Sequence, residues 1–350
     1  MITRLPPLIA FSLFAVALSS MAEGSAPQIR IENVRRAFHN GEHNAFTDLI
    51  RWRDKFWLTF RSSRDGHMNF TSGSVIVLVS DDAKSWRQVQ RFSVPNRDTR
   101  DPHFLIFKDK LFVYSGTALV PADKSGRTDW NSHFGYATWT ENGVDWASPR
   151  SLEGTYGHYI WRAAAVDGKA YLCARRWRDQ VHVPGRNRPA MEAALLESED
   201  GLVWRFHSLL QETEGNETAF IFEPDGTLVG VSRATREWSV ALRSHPPYRE
   251  WKRQTIQEYL GGPVLIRWDD RLLVGARRLT GEIPRTTLWW LEDSRLIHAA
   301  ELPSDGDNSY PGIVLLDRQR ALISWYSSHE RDADGKPITA IYLADLVRTK

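Results

Sequence analysis

Cysteine occurs once in this chain, as Cys173, so no intramolecular disulfide framework can form and stability must come from packing. Set in the apolar stretch AYLCA, that thiol reads as a small buried filler. Net charge is nearly absent, at +2 from 45 basic and 43 acidic residues, and no Lys/Arg block occurs. A nucleic-acid partner is therefore not expected. Lysine itself is scarce; most of the basic residues are Arg, the side chain suited to bidentate grip on carboxylates. Beyond residue 22 there is no long apolar run and no sustained apolar pattern of helical period, which argues against a membrane anchor and against helices.

The apolar run that does exist, Leu8 to Leu18, follows Arg4 and precedes Ser20-Met21-Ala22, the layout of a cleavable secretory signal. Residues 1–22 are expected to be a signal peptide and residues 23–350 a single domain, secreted or periplasmic and monomeric. A composition of 42% hydrophobic and 25% charged residues suits a globular fold.

What is abundant is repetition. Six segments share one pattern: a polar or small residue, an apolar strand, a short polar turn, then a second apolar strand ending in Arg or Ser. They run from Asp48 to Arg61, Asp101 to Ser115, Arg162 to Arg175, Thr218 to Arg233, Gly262 to Arg277 and Pro311 to Ser327. Their turns begin at Asp54, Asp109, Asp167, Asp225, Asp269 and Arg318, a period of about 55 residues. Between hairpins lies a second repeat: VSDDAKSW (Val79 to Trp86), TENGVDW (Thr140 to Trp146), SEDGLVW (Ser198 to Trp204) and a degenerate copy ending at Trp251. A polar turn followed by Trp can bury the ring between adjacent sheets, which accounts for many of the 15 Trp. Six in-phase copies predict an all-β, six-bladed β-propeller.

In a propeller the inner hairpins begin and end on one face near the axis, so strand starts and returns converge. The starts include Asp48, Arg100-Asp101, Trp161-Arg162, Asn216-Glu217 and Ser309-Tyr310. The returns include Arg61, Arg175-Arg176, Arg233 and Arg277-Arg278. Carboxylates facing several Arg suit an anionic sugar. Asp48, Asp101 and Glu217 could also act as a carboxylate trio for inverting hydrolysis. A non-catalytic alternative is a carbohydrate-binding propeller in which Trp161 stacks on a sugar. His39 and His43 stand four apart, but Gly41 lies between them and no helix is expected, so no metal or other cofactor is expected.

The S-x-D-G-x-x-W pattern of Ser198 to Trp204 resembles the Asp-box of sialidases, and with six blades it resembles the sialidase-like glycoside hydrolases over the whole mature chain. That resemblance implies an exo-acting hydrolase of a terminal acidic sugar on a glycan. It also implies a Tyr nucleophile activated by Glu, an Asp acid/base and three Arg clamping a carboxylate. Tyr310 and Glu217 match the nucleophile pair, and Arg233 and Arg277 match two clamping arginines. The acid/base is one of Asp65, Asp48, Asp101 or His67. Where sialidases open the first blade with Arg-Ile-Pro, this chain has Phe46-Thr47-Asp48-Leu49, so Thr47 or Asp48 is expected in place of the first clamping Arg. Arg61, Arg100 or Arg162 could then grip the substrate from another direction.

Overall fold

A computed structural model describes residues 26–120, 132–178 and 191–349. The expected signal peptide lies outside the described residues. The described chain forms 24 strands in six antiparallel sheets of four, a six-bladed propeller as the repeats predict.

Five blades are built from consecutive strands. Their inner strands are His43–Trp52, Arg97–Phe107, Tyr159–Val166, Thr218–Phe222 and Gly261–Trp268. The sixth begins with Asn308–Leu315 and takes its outer strand from the other end of the chain: Ile29–Phe38 pairs with Pro337–Arg348, with Ile29 opposite Arg348. This closes the ring by completing the last blade with a strand from the N-terminal end of the chain.

The hairpin turns explain the register. Arg53-Asp54, Lys108-Asp109 and Asp167-Gly168 each have both central residues at positive φ, the two-residue turn whose twist matches that of the flanking strands. The outer turns have a common construction as well. Asp82 Oδ1 accepts the backbone N–H of Lys84 and Ser85, Asn142 Oδ1 those of Val144 and Asp145, and Asp200 Oδ1 those of Leu202 and Val203, every bond at 2.8–2.9 Å. Each turn thus satisfies its own donors and can pack on the neighbouring blade. Trp146 meets Trp57 edge-on at 6.0 Å, and Trp204 meets Tyr114 at 5.7 Å. Trp204 is buried, whereas Trp86 and Trp146 are half-buried. Cys173 is fully buried, and burial pushes its thiol up to about 12.

Candidate active site

Five of the six inner hairpins carry an irregularity at the same height. Two inner-strand residues face one on the second strand at Phe46-Thr47, Asp101-Pro102, Trp161-Arg162, Gly262-Pro263 and Tyr310-Pro311. Three of these pairs end in Pro, which has no N–H to offer a ladder and is tolerated at a bulge. The bulge redirects the leading residue, and in four cases that residue sits at positive φ: Phe46 at 62°, Asp101 at 51°, Gly262 at 58° and Tyr310 at 52°. For the three that are not glycine this backbone costs about 1–3 kcal/mol each, a strain that concentrates at functional sites.

These residues gather around Tyr310. Its phenol donates to Glu217 Oε1 at 2.9 Å. Glu217 Oε2 accepts from Arg233 Nη1 and from the Gly262 N–H, both at 3.0 Å. Gly262 is needed for space, since a Cβ there would lie 2.5 Å from Tyr310 Cδ2. Around the Tyr310 ring stand Phe46 at 4.9 Å, Trp161 at 5.3 Å and Tyr326 at 5.9 Å between centroids. The Arg277 guanidinium lies 5.7 Å from the ring centre. Arg175 donates to Asn216, beside Glu217, at 2.7 Å.

Charge is divided sharply among the carboxyl groups. Burial would raise the Glu217 carboxyl, but Arg233 and Arg175 hold it down at about 2, so it is ionised. Burial and then the Glu217 charge push the Tyr310 phenol well above its ordinary value, keeping it protonated. Asp101 goes the other way. Burial, reinforced by Glu217 and opposed by Arg100, pushes its carboxyl up to about 7. Tyr159 donates to Asp101 Oδ2, while Oδ1 is buried without a hydrogen-bond partner. An ionised carboxylate accepting from a phenol, beside a carboxyl that holds its proton near neutral pH, is an arrangement that allows acid–base chemistry.

The remaining candidates separate into frame, loop support and surface. Asp48 Oδ1 accepts from Arg162 Nη1 at 2.9 Å and Oδ2 from the Phe104 N–H at 2.9 Å. Arg162 spends its other donors on the carbonyls of Pro263 and Pro311, at 2.9 and 2.7 Å. The pair therefore ties five of the six blades together at the axis, and neither group is left for a substrate. Arg61 is fully buried, pairing with Asp98 and donating to the carbonyls of Gly66 and Met68 at 2.9 Å. Arg100 holds the same loop through Asn69 Oδ1 at 2.8 Å and lies over Phe46. Trp161 is 1% exposed beneath Tyr310, too deep to serve as a sugar platform. Asp65 is exposed at a turn, where Arg64 lies 3.6 Å from it.

The first-blade position is filled by Phe46. Thr47 is buried and donates to the Tyr310 carbonyl at 2.7 Å, and Asp48 belongs to the axial ion pair. Sequence spacing overlooked this because the bulge shifts the inward residue by one.

Two groupings were not singled out from the sequence. Arg175 appeared there only as a strand end. Asp307 joins distant partners: Oδ1 accepts from Tyr326 Oη at 2.8 Å and Arg277 Nη2 at 3.1 Å, and Oδ2 faces His67 Nδ1 at 2.6 Å and His43 Nε2 at 2.9 Å. No local signal marks a contact between residues so far apart in the chain.

No protein-family model and no curated protein matches this chain. Solved structures do. A protein of unknown function from Dyadobacter fermentans superposes with a TM-score of 0.76 at 18% identity, covering 92% of this chain and 100% of its own. The Trypanosoma rangeli sialidase superposes with a TM-score of 0.64 at 12% identity, over 87% of this chain and 55% of that one. A K499G mutant of the NanB sialidase from Streptococcus pneumoniae gives 0.64 at 11%, over 90% and 70%. The chain thus spans about half the length of the trypanosomal enzyme. At these identities the likeness establishes a sialidase-like propeller fold.

Proposed function

We propose that this protein is an exo-acting glycoside hydrolase that removes a carboxylate-bearing terminal sugar from a glycan outside the cytoplasm. The observation that carries the reading is the 2.9 Å hydrogen bond from Tyr310 to an ionised, doubly anchored Glu217. A phenol is a poor nucleophile near neutral pH unless a base takes its proton as it attacks. Being neutral, it also avoids repelling an anionic sugar.

In the proposed reaction Tyr310 Oη bonds to the anomeric carbon and passes its proton to Glu217. The bond from that carbon to the leaving oxygen breaks, and the oxygen takes the proton of Asp101. Water then attacks the tyrosyl-linked sugar, giving a proton to the Asp101 carboxylate. Tyr310 leaves with the proton held on Glu217, restoring the starting state. Two inversions at one carbon give net retention. Arg175, Arg233 and Arg277 ring Tyr310 and supply the positive charge for the sugar carboxylate. Phe46 presents no such charge from the first blade, which favours an acidic sugar held from the side of blades 3 to 5.

A panel of fluorogenic glycosides, with sialosides and uronides among them, tests this with wild type beside Tyr310→Phe and Glu217→Gln. Cleavage by wild type that Tyr310→Phe retains in full would overturn the nucleophile assignment. Binding without cleavage of any glycoside would favour a carbohydrate-binding propeller.

A further inference from the structure

We infer that His43, His67 and Asp307 form a binding site for a divalent transition-metal ion of the zinc class at the edge of the Tyr310 site. Three separate elements bring them together. His43 opens the inner strand of blade 1, His67 lies on the connection between Lys55–Ser63 and Ser74–Ser80 of that blade, and Asp307 immediately precedes the inner strand of blade 6. Their donor atoms all lie within 4.8 Å of one another. Both imidazoles direct a ring nitrogen at the same oxygen, Asp307 Oδ2, at 2.9 and 2.6 Å.

Two imidazole nitrogens and one carboxylate oxygen are a donor set for zinc and its first-row neighbours. Three protein ligands leave a coordination position for water or a substrate oxygen. Ligand atoms around a tetrahedral ion with bonds of about 2.0–2.1 Å stand roughly 3.3 Å apart. Asp307 Oδ2 sits closer than that to both nitrogens and has to draw back by roughly half an ångström, while the two imidazoles, whose donor atoms stand within 4.8 Å of one another and of Asp307, close on the ion that replaces their protons. The outer layer is in place as well. Tyr326 and Arg277 bind the other oxygen of Asp307 and fix its direction. Access is open, because the side chains of His67 and Asp307 are 43% and 25% exposed.

The location gives the ion a use. Phe46, which stands where the first blade lacks an arginine, touches His67 and Tyr310 at 5.5 and 4.9 Å between ring centroids. An ion on these ligands places positive charge on the blade 1 and 6 side of Tyr310. Its open position suits a carboxylate or hydroxyl oxygen of the sugar. That use rests on the hydrolase reading; the metal site does not.

The test is calorimetric titration of chelator-treated, dialysed protein with Zn2+, beside visible absorption with Co2+, for wild type, His43→Ala and His67→Ala. One equivalent bound by wild type, weakened at least ~10-fold in each variant with loss of the Co2+ bands, is expected. Folded wild type that binds no stoichiometric metal overturns the site, as do variants that bind as wild type does. His67 is on an exposed connection, so its variant is expected to keep the wild-type Tm and to report binding alone. The readout uses no substrate, so its failure leaves the hydrolase reading standing, and an inactive but metal-binding protein separates the two in the other direction.

Discussion

Gly262 and Tyr310 occupy the same bulge position in adjacent blades, and the first is shaped by the second. A methyl group on Gly262 would sit 2.5 Å from Tyr310 Cδ2, and the Gly262 N–H donates 3.0 Å to the carboxylate that Tyr310 faces. With φ at +58°, the position also disfavours any side chain. Gly262→Ala is expected to displace the Tyr310 ring and destabilise the fold by about 1–3 kcal/mol. It should lower kcat even at temperatures where the protein remains folded; unchanged kcat on the best glycoside would sever the link.

Tyr310→Phe removes the attacking oxygen yet leaves Glu217 its bonds from Arg233 and Gly262. Activity should fall by at least about 10²–10⁴-fold while the Tm stays within a few degrees. Glu217→Gln should lose activity on the same scale and also disturb Arg233, whose half-buried charge then lacks its partner. Steady-state kinetics with thermal unfolding distinguishes the two.

Asp101 predicts an alkaline limb. As the proposed acid, with its carboxyl raised to about 7, it must be protonated, so kcat/KM should decline as pH rises through about 7. In Asp101→Asn that limb should vanish, and substrates with poor leaving groups should suffer more than aryl glycosides.

The same residue sets a stability trend. Its folded pKa lies above the unfolded carboxyl value of about 3.9, so the folded state holds the extra proton. The contribution is complete below about pH 4 and is lost as pH climbs through 7. Urea midpoints at pH 5 and pH 8 should therefore converge in Asp101→Asn relative to wild type, and an unchanged difference would assign the trend elsewhere.

Asp48→Ala leaves the Arg162 cation buried at the axis without its carboxylate, and about 3–5 kcal/mol of stability should be lost. Arg162→Met combined with Asp48→Leu should recover part of it. If Asp48→Ala instead unfolded like wild type while losing activity, a chemical role would replace the structural one.

The hairpin repeats, their turn residues and the Trp-bearing outer turns made the six blades legible from the chain alone, because strand alternation and two-residue turns are local properties. The same periodicity marked which residues stand at strand starts and ends, and so brought Glu217, Tyr310, Arg233 and Arg277 into view. Sequence could not tell an arginine that faces the site from one that braces it. Arg100 and Arg162 stand at hairpin starts and Arg61 and Arg233 at hairpin ends, all near one face, and only the partners that the closed ring brings to them, Asp98, Asn69, Asp48 and Glu217, divide their roles. The bulges shifted which first-blade residue points inward, from Thr47 or Asp48 to Phe46. Composition and period determined the architecture; burial and long-range pairing, which exist only once blade 6 closes on blade 1, decided that Asp101 keeps its proton, that Glu217 loses its own, and that His43, His67 and Asp307 meet at all.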